Sequence, residues 1–323
     1  MKKVFLVLSG GGARGFAHIG VIKSLESHNI KPDIISGTSM GAIVGGLYSY
    51  GYSIEKIEKI ARNFDWKEFA KFFIFPTTNK NFIEKDGVLK FFRNLTGNTK
   101  IEDLEKKFYA VAFDLKNNSE IIIDKGDLAS AMRASMSIPI VFTPFPYEDR
   151  LLFDGGLINP LPVDVIDYKK GDYIIAVNVL KKKVGKLSKE HLNLDLESLI
   201  EKNEERKEKL SKKIDSNVLM EKLKENDNYK KIKNKLLSIY EFFEKDEEKQ
   251  LSNLKILEKI FYTNQNYIVQ SRSYENIDIF YEPIAEKVNF FDFAGSLKLI
   301  DKAEREMDKI LEDKKAFDII KDN

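Results

Sequence analysis

The sequence contains no cysteine. That excludes disulfides and thiolate metal sites, and it fits a reducing compartment without requiring one. Histidine is nearly as scarce, with only His18, His28 and His191. No apolar run approaches the ~20 residues that a membrane-spanning helix needs. Neither charge sign dominates: 53 basic and 51 acidic residues leave a net charge of +2, so no electrostatic pull towards nucleic acid is expected. Glycine and proline are absent between Gly185 and Pro283. What remains is ordinary for a globular chain. At 323 residues and 43% hydrophobic content, it can bury one large core or two modest ones.

The opening Met1-Lys2-Lys3 followed by Val4 to Leu8 looks like the start of a secretory leader. The apolar stretch is shorter than the ~7–15 residues of an h-region, and no small-residue cleavage site follows. It is read as the first buried strand, over 3–8. Residues 16–27 read as a helix with Ile19, Ile22 and Leu25 on one face. Pro32-Asp33 punctuates, and a second strand follows through Ile34-Ile35. Further on, 109–113 and 120–124 read as a hairpin, and Asp127 as the cap of a helix running to Ser135. Residues 151–153 and 173–177 read as strands, 277–283 regains strand character, and 296–317 reads as a final helix. Strands alternating with helices imply an α/β fold with a parallel sheet.

Two segments fall outside that pattern. Residues 64–92 are rich in aromatics, among them Phe64, Trp66, Phe72, Phe73, Phe91 and Phe92; plain core and an acyl-chain wall or lid are both open readings. Residues 185–265 form a Lys- and Glu-rich stretch, where Tyr229, Ile232, Leu236, Ile239 and Phe243 recur at three- and four-residue steps. This is amphipathic helix. Surface helices packed on the domain or on each other are the plain reading, and self-association through a short coiled coil is the alternative. The polar faces mix both charge signs, unlike the cationic faces of membrane-surface helices.

The chemistry centres on Gly37-Thr38-Ser39-Met40-Gly41, set between the second strand and an apolar helical stretch. A G-x-S-x-G at a strand-to-helix junction forms a nucleophile elbow that projects the serine, with only small residues, here Gly37 and Gly41, tolerated around it. A serine hydroxyl needs a base. His28 lies in a polar turn, His18 on the helix opened by a glycine turn, and His191 at the edge of the charged stretch, so none is well placed. Asp154 is the better base. It ends an apolar strand, Gly155 and Gly156 allow a tight turn, and partial burial would raise its proton affinity. Oxyanion donors are expected from the glycine turn Gly10-Gly11-Gly12-Ala13-Arg14-Gly15, whose amides open a helix. Arg14 is expected to pin that loop or to contact an anionic head group. The same turn formally matches a dinucleotide fingerprint, but Asp33 stands at the wrong end of the second strand for a ribose.

The ordered set of Gly-Gly-Gly-x-Arg-Gly, G-x-S-x-G and Asp-Gly-Gly resembles the patatin-like phospholipase family. The stretches 17–21, 134–139 and 157–162 support the resemblance, which covers about 3–180 and returns near 277–305. It implies a three-layer α/β fold, with a mostly parallel central sheet and helices on both faces, built from 1–184 and 266–323. Residues 185–265 then form a charged helical insertion. It implies a Ser39–Asp154 dyad, an oxyanion segment at Gly10, Gly11, Gly12, Arg14 and Gly15, and hydrolysis of lipid acyl esters through an acyl-serine intermediate. It implies no metal and no cofactor. The expected partners are a lipid substrate and, transiently, a membrane surface, with no nucleic acid. Cytoplasmic residence is the default expectation. A thioesterase or neutral-lipid lipase would use the same machinery, and a catalytically silent scaffold acting through the helical stretch is the non-enzymatic alternative.

Overall fold

The computed structural model describes residues 2–64, 86–139, 141–180, 259–283, 288 and 292–314. The chain divides into two compact units, Met1–Lys183 with Glu258–Asn323, and Val184–Leu257. All described residues belong to the first. Residues 65–85, the periodic stretch 229–257 and His191 lie outside them.

The first unit is built on an eight-stranded mixed sheet. Strands β1 (Val4–Leu8), β2 (Ile34–Thr38), β3 (Lys107–Asp114), β7 (Tyr173–Val177) and β8 (Ile279–Tyr281) run parallel in the order β3-β2-β1-β7-β8. Antiparallel strands complete it around β3: β4 (Ser119–Ile123), and β6 (Arg150–Asp154) with β5 (Phe145–Tyr147) beyond it. Every residue of β1, β2 and β7 is buried, as expected where helices cover both faces of a parallel sheet.

Alternation along β1 separates the two faces. Phe5 and Val7 point into a cluster with Ile34, Ile174, Leu161 and Val269, the last from helix α6 over 259–271. Leu8 and Ile35 point the other way, against α2 (Met40–Ser49) at Gly45. The arrangement is helix, sheet, helix. On the α2 side, α1 (Ala17–Ser27) packs closely on α7 (Lys298–Asp313). A side chain on Gly20 would come within 2.0 Å of Ile300 O, and Ser24 Oγ donates to Asp308 Oδ1 at 2.5 Å.

Three more helices complete this layer. In α3 (Ile54–Asn63), Ile54, Ile57 and Ala61 face inward. Asp86 caps α4 (Gly87–Thr96) by accepting from the N–H groups of Val88 and Leu89. Its other oxygen meets Arg133 Nε of α5 (Leu128–Ser135) at 2.7 Å in a buried ion pair. Asp127 caps α5 by accepting from Ser130 N–H, as the sequence predicts.

Several sequence-based boundaries shift, three of them at helices. The helix read from residue 16 begins as a 3-10 turn, Gly12–Phe16, and becomes α-helical at Ala17. The final helix starts at Lys298 rather than 296. Residues 259–265, assigned to the insertion, continue without a break into 266–271 as α6 of the first unit.

The decisive feature is at β3. Residues 107–111 of β3 pair with β2, and residues 112–114 pair with β6. Strand β4 occupies 110–114 from the opposite edge, so β2 and β6 share one edge of β3. They run towards each other along it. Thr38 is opposite Val111, and Asp154 is opposite Ala112, one register step on.

Candidate active site

That tail-to-tail meeting brings two motifs together that are far apart in the chain. Ser39 follows the last residue of β2, and Asp154 is the last residue of β6. Ser39 adopts φ 54° and ψ −118°, a conformation that a non-glycine residue holds only when its surroundings enforce it. Here they do. A side chain on Gly37 would sit 2.5 Å from Gly41 O, and one on Gly41 would sit 2.2 Å from Leu8 O. Ser39 N–H donates to Ser135 Oγ at 2.8 Å, and Ser135 donates to Val111 O at 2.6 Å. Thr38 Oγ1 donates to Asn159 O at 2.7 Å, tying the elbow to the loop after Asp154.

Asp154 is completely buried. Gly156 N–H donates to its Oδ1 at 2.7 Å. Burial pushes its pKa up to about 7, against the opposing pull of the Ser39 hydroxyl and of Gly156 N–H. The Ser39 side chain therefore faces the carboxyl, yet Oδ2 carries no hydrogen bond of normal geometry. Slack contacts of this kind are common where a catalytic pair closes only around substrate. Gly155 is obligatory in its place, because a side chain there would come within 2.3 Å of Val111 O.

The glycine turn divides its work rather than acting as one oxyanion segment. Gly10 N–H is already used, donating to Pro160 O at 2.9 Å. Gly11 and Gly12 both have positive φ, 151° and 56°, and their N–H groups have no hydrogen-bond partner among the described residues. The same holds for Met40 N–H at the start of α2. Gly15 serves packing, since a side chain there would meet Met40 Cγ at 2.2 Å.

Arg14 does not reach towards a head group. It is buried, its Nε donates to Val288 O at 2.9 Å, and its guanidinium lies 4.2 Å from the Tyr262 ring centroid. It pins the loop to segments far along the chain, one of the two roles its sequence position suggested.

His18 is also structural. Its Nε2 lies 2.9 Å from Ser9 O, an acceptor, so Nε2 carries the hydrogen. Burial lowers its pKa to about 4 and keeps it neutral. His28 Nδ1 contacts Ser24 O at the far end of α1.

Beside Ser39 lies a cavity of about 80 Å³ with almost wholly apolar walls. Gly12 and Ser39 border it, and Leu47, Ile57, Phe64, Phe92 and Phe142 line it. Phe64, Phe91 and Phe92 are the described members of the aromatic segment, and all three face this cavity. Among the described residues no cluster of acids and histidines could hold a metal ion, and no helix is long and apolar enough to cross a membrane.

Sequence reasoning passed over two residues here. Ser135 lay in a stretch noted for its likeness to a family, but nothing marked its hydroxyl as a link between elbow and sheet. Gln265 looked like one more polar residue on a charged helix. It is wholly buried, with its Nε2 against Gly156.

Comparison with known proteins places these observations. Residues 6–167 match the family model described as Patatin-like phospholipase. The chain is 36% identical to Lysophospholipase NTE1 of Debaryomyces hansenii over 185 residues, 55% of this chain and 12% of that protein. It is 34% identical to an uncharacterised NTE family protein of Mycobacterium bovis over 183 residues, 57% of this chain and 51% of that protein. The chain thus spans about half or less of the length of these relatives. Among solved structures, VipD from Legionella pneumophila gives a TM-score of 0.38 at 14% identity, covering 59% of this chain and 52% of that one.

Proposed function

Because the chain belongs to the patatin-like phospholipase family, we propose that it is a serine hydrolase of lipid acyl esters in which Ser39 is the nucleophile and Asp154 its only base. The observation that carries this reading is the meeting of β2 and β6 on one edge of β3. It sets a strained, exactingly packed serine beside a buried carboxyl. A base poised near neutral pH suits proton transfer at physiological pH, and burial raises Asp154 into that range.

In acylation, Asp154 takes the proton of Ser39 Oγ as the oxygen bonds to the ester carbonyl carbon. The N–H groups of Gly11, Gly12 and Met40, unbonded among the described residues, are the donors assigned to the oxyanion. The carbon–oxygen bond to the alcohol then breaks, and Asp154 returns its proton to the leaving oxygen. In deacylation, water gives a proton to Asp154 and its oxygen adds to the acyl carbon. Ser39 Oγ leaves and recovers a proton, releasing the fatty acid.

The apolar cavity at Ser39 receives the acyl chain. A lysophospholipid is the favoured substrate class, since one apolar cavity suits one chain and the similar yeast protein bears the lysophospholipase name. The enzyme meets such substrates at a membrane surface, which it touches transiently from the cytoplasm.

Hydrolysis of a p-nitrophenyl acyl ester by wild type, Ser39→Ala and Asp154→Asn tests the reading, with folding checked by circular dichroism. Loss of at least about a thousandfold in both folded variants is expected. Activity surviving in Ser39→Ala would overturn the assigned nucleophile. A fluorophosphonate that labels wild type but not Ser39→Ala would establish the serine independently of the substrate chosen.

A further inference from the structure

Gln265 is fully buried, and neither its Nε2 nor its Oε1 has a hydrogen-bond partner among the described residues. Leaving a buried polar group unpaired is unfavourable, and a leucine on α6 would avoid that cost. The position of the carboxamide indicates what it gains in return. A side chain on Gly156 would lie 1.9 Å from Gln265 Nε2 and 3.0 Å from Asp154 Oδ1. The missing side chain of Gly156 is what lets the amide come up beside the acid. A side chain on Gly10 would lie 3.6 Å from both Nε2 and Ser39 Cβ, so the amide also borders the nucleophile's side of the site. Asp154 Oδ2 is the third buried polar atom there without a partner.

We propose that Gln265 is a positioning residue for Asp154, holding the carboxyl in place through both of the protonation states it passes during turnover. The inference rests on the reading of Asp154 as the base. A carboxamide is suited to this task because it offers a donor and an acceptor on one soft terminal torsion. When Asp154 is ionised, Nε2–H donates to Oδ2 in a charge-assisted bond, the stronger of the two. When Asp154 holds the serine proton, Oε1 accepts from the acid. A lysine at 265 could only donate, and an ionised carboxylate could only accept.

The surrounding charged groups are otherwise engaged. Arg133 of α5 pairs with Asp86, and Arg14 Nε donates to Val288 O, while its Nη1 has no partner among the described residues. Asp114 of β3 accepts from Asn117 and Lys116. Glu120 of β4 is bound by Asn159, and Arg272, just past α6, pairs with Asp164. His18 is neutral. Burial, Ser39 and Gly156 N–H act on the proton affinity of Asp154, and the amide is a further polar group brought up beside it.

The test is the pH dependence of kcat/KM for a p-nitrophenyl ester in wild type, Gln265→Met, Gln265→Glu and Asp154→Asn. Met preserves length and shape while removing both polar atoms. In Gln265→Met the acid limb should move up by about one pH unit, a tenfold loss on the acid side with little loss at high pH. The thermal midpoint should change little, because Met fills nearly the same space. Gln265→Glu should move the limb further, since a second carboxyl opposes ionisation of the first. An equal loss at every pH in Gln265→Met, or an unmoved limb, would overturn the proposal in favour of plain packing. If Gln265→Met does not fold, the limb of Gln265→Glu decides in the same way. Full activity in Asp154→Asn would instead bring down the base assignment and this inference with it. Inactive Asp154→Asn beside an unmoved limb in Gln265→Met would bring down this inference alone.

Discussion

Ser39 and Ser135 form a relay that fixes the elbow: Ser39 N–H donates to Ser135 Oγ at 2.8 Å, and Ser135 donates onward to Val111 O at 2.6 Å. Val111 is the last β3 residue paired with β2, so the relay closes the gap where one strand pair gives way to the next. Ser135→Ala would strand a buried N–H and a buried carbonyl. We expect a loss of about 1–3 kcal/mol in denaturant melts. We also expect a fall in kcat/KM larger than the stability change explains, because the strained Ser39 conformation loses one of its restraints.

The two buried titrating groups should pull stability in opposite directions as pH changes. The folded-state pKa of Asp154 is raised from 3.8 to about 7. The fold is therefore favoured by protonation at low pH, and that advantage is lost as pH rises through about 7. His18 is lowered from 6.5 to about 4. Its neutral form supports the fold above 6.5, and that support is lost as pH falls towards 4. Over this window the two largely offset one another in wild type. Asp154→Asn removes one side of the balance, so it should be several kcal/mol more stable than wild type at pH 8 and show no such gain near pH 4. His18→Gln should lose the acid-side penalty instead. Thermal midpoints from pH 4 to 8 check both slopes, and parallel profiles for all three proteins would refute the assignment.

Glycines at the site differ sharply in what they tolerate. A side chain on Gly41 would come 2.2 Å from Leu8 O, which is backbone, whereas one on Gly10 meets nothing nearer than 3.6 Å. Gly41→Ala should lose at least about 1–3 kcal/mol and fail to label with a fluorophosphonate. Gly10→Ala should melt within about 1 kcal/mol of wild type, as an ordinary van der Waals contact allows.

Acyl selectivity should follow the cavity walls. Ala61 of α3 lines the cavity and is buried. Ala61→Phe should shorten it, lowering kcat/KM for long-chain p-nitrophenyl esters about tenfold or more relative to butyrate. An unchanged chain-length profile in a folded variant would show that the acyl chain lies elsewhere.

Much of this site was legible in the sequence because it is written in short motifs at element junctions. The elbow glycines, the Asp-Gly-Gly turn and the buried β1 and β7 runs each carry their signal locally. The parallel pairing of β1 with β2 follows from the helix α1 between them. What could not be read is the register at β3. Nothing in 150–154 announces that β6 runs antiparallel on the edge that β2 vacates, and that placement is what sets Asp154 beside Ser39. The split within the glycine turn was equally hidden, because whether Gly10 N–H is free depends on Pro160, distant in the chain. Gln265 was misassigned for a related reason. A charged helix boundary gives no sign that one polar residue turns inward.

The pin at Arg14 bears on when the protein becomes whole. Its partners, Tyr262 and Val288, lie far towards the other end of the chain, the latter 274 residues away. Gln265 and the α7 face that receives Gly20 arrive equally late. During synthesis, Ser39 and Asp154 leave the ribosome well before the segments that brace them. The nascent chain thus carries both reactive groups without their scaffold until translation has passed the helix that receives α1. On the proposed reading, the two reactive groups are braced by segments made after them.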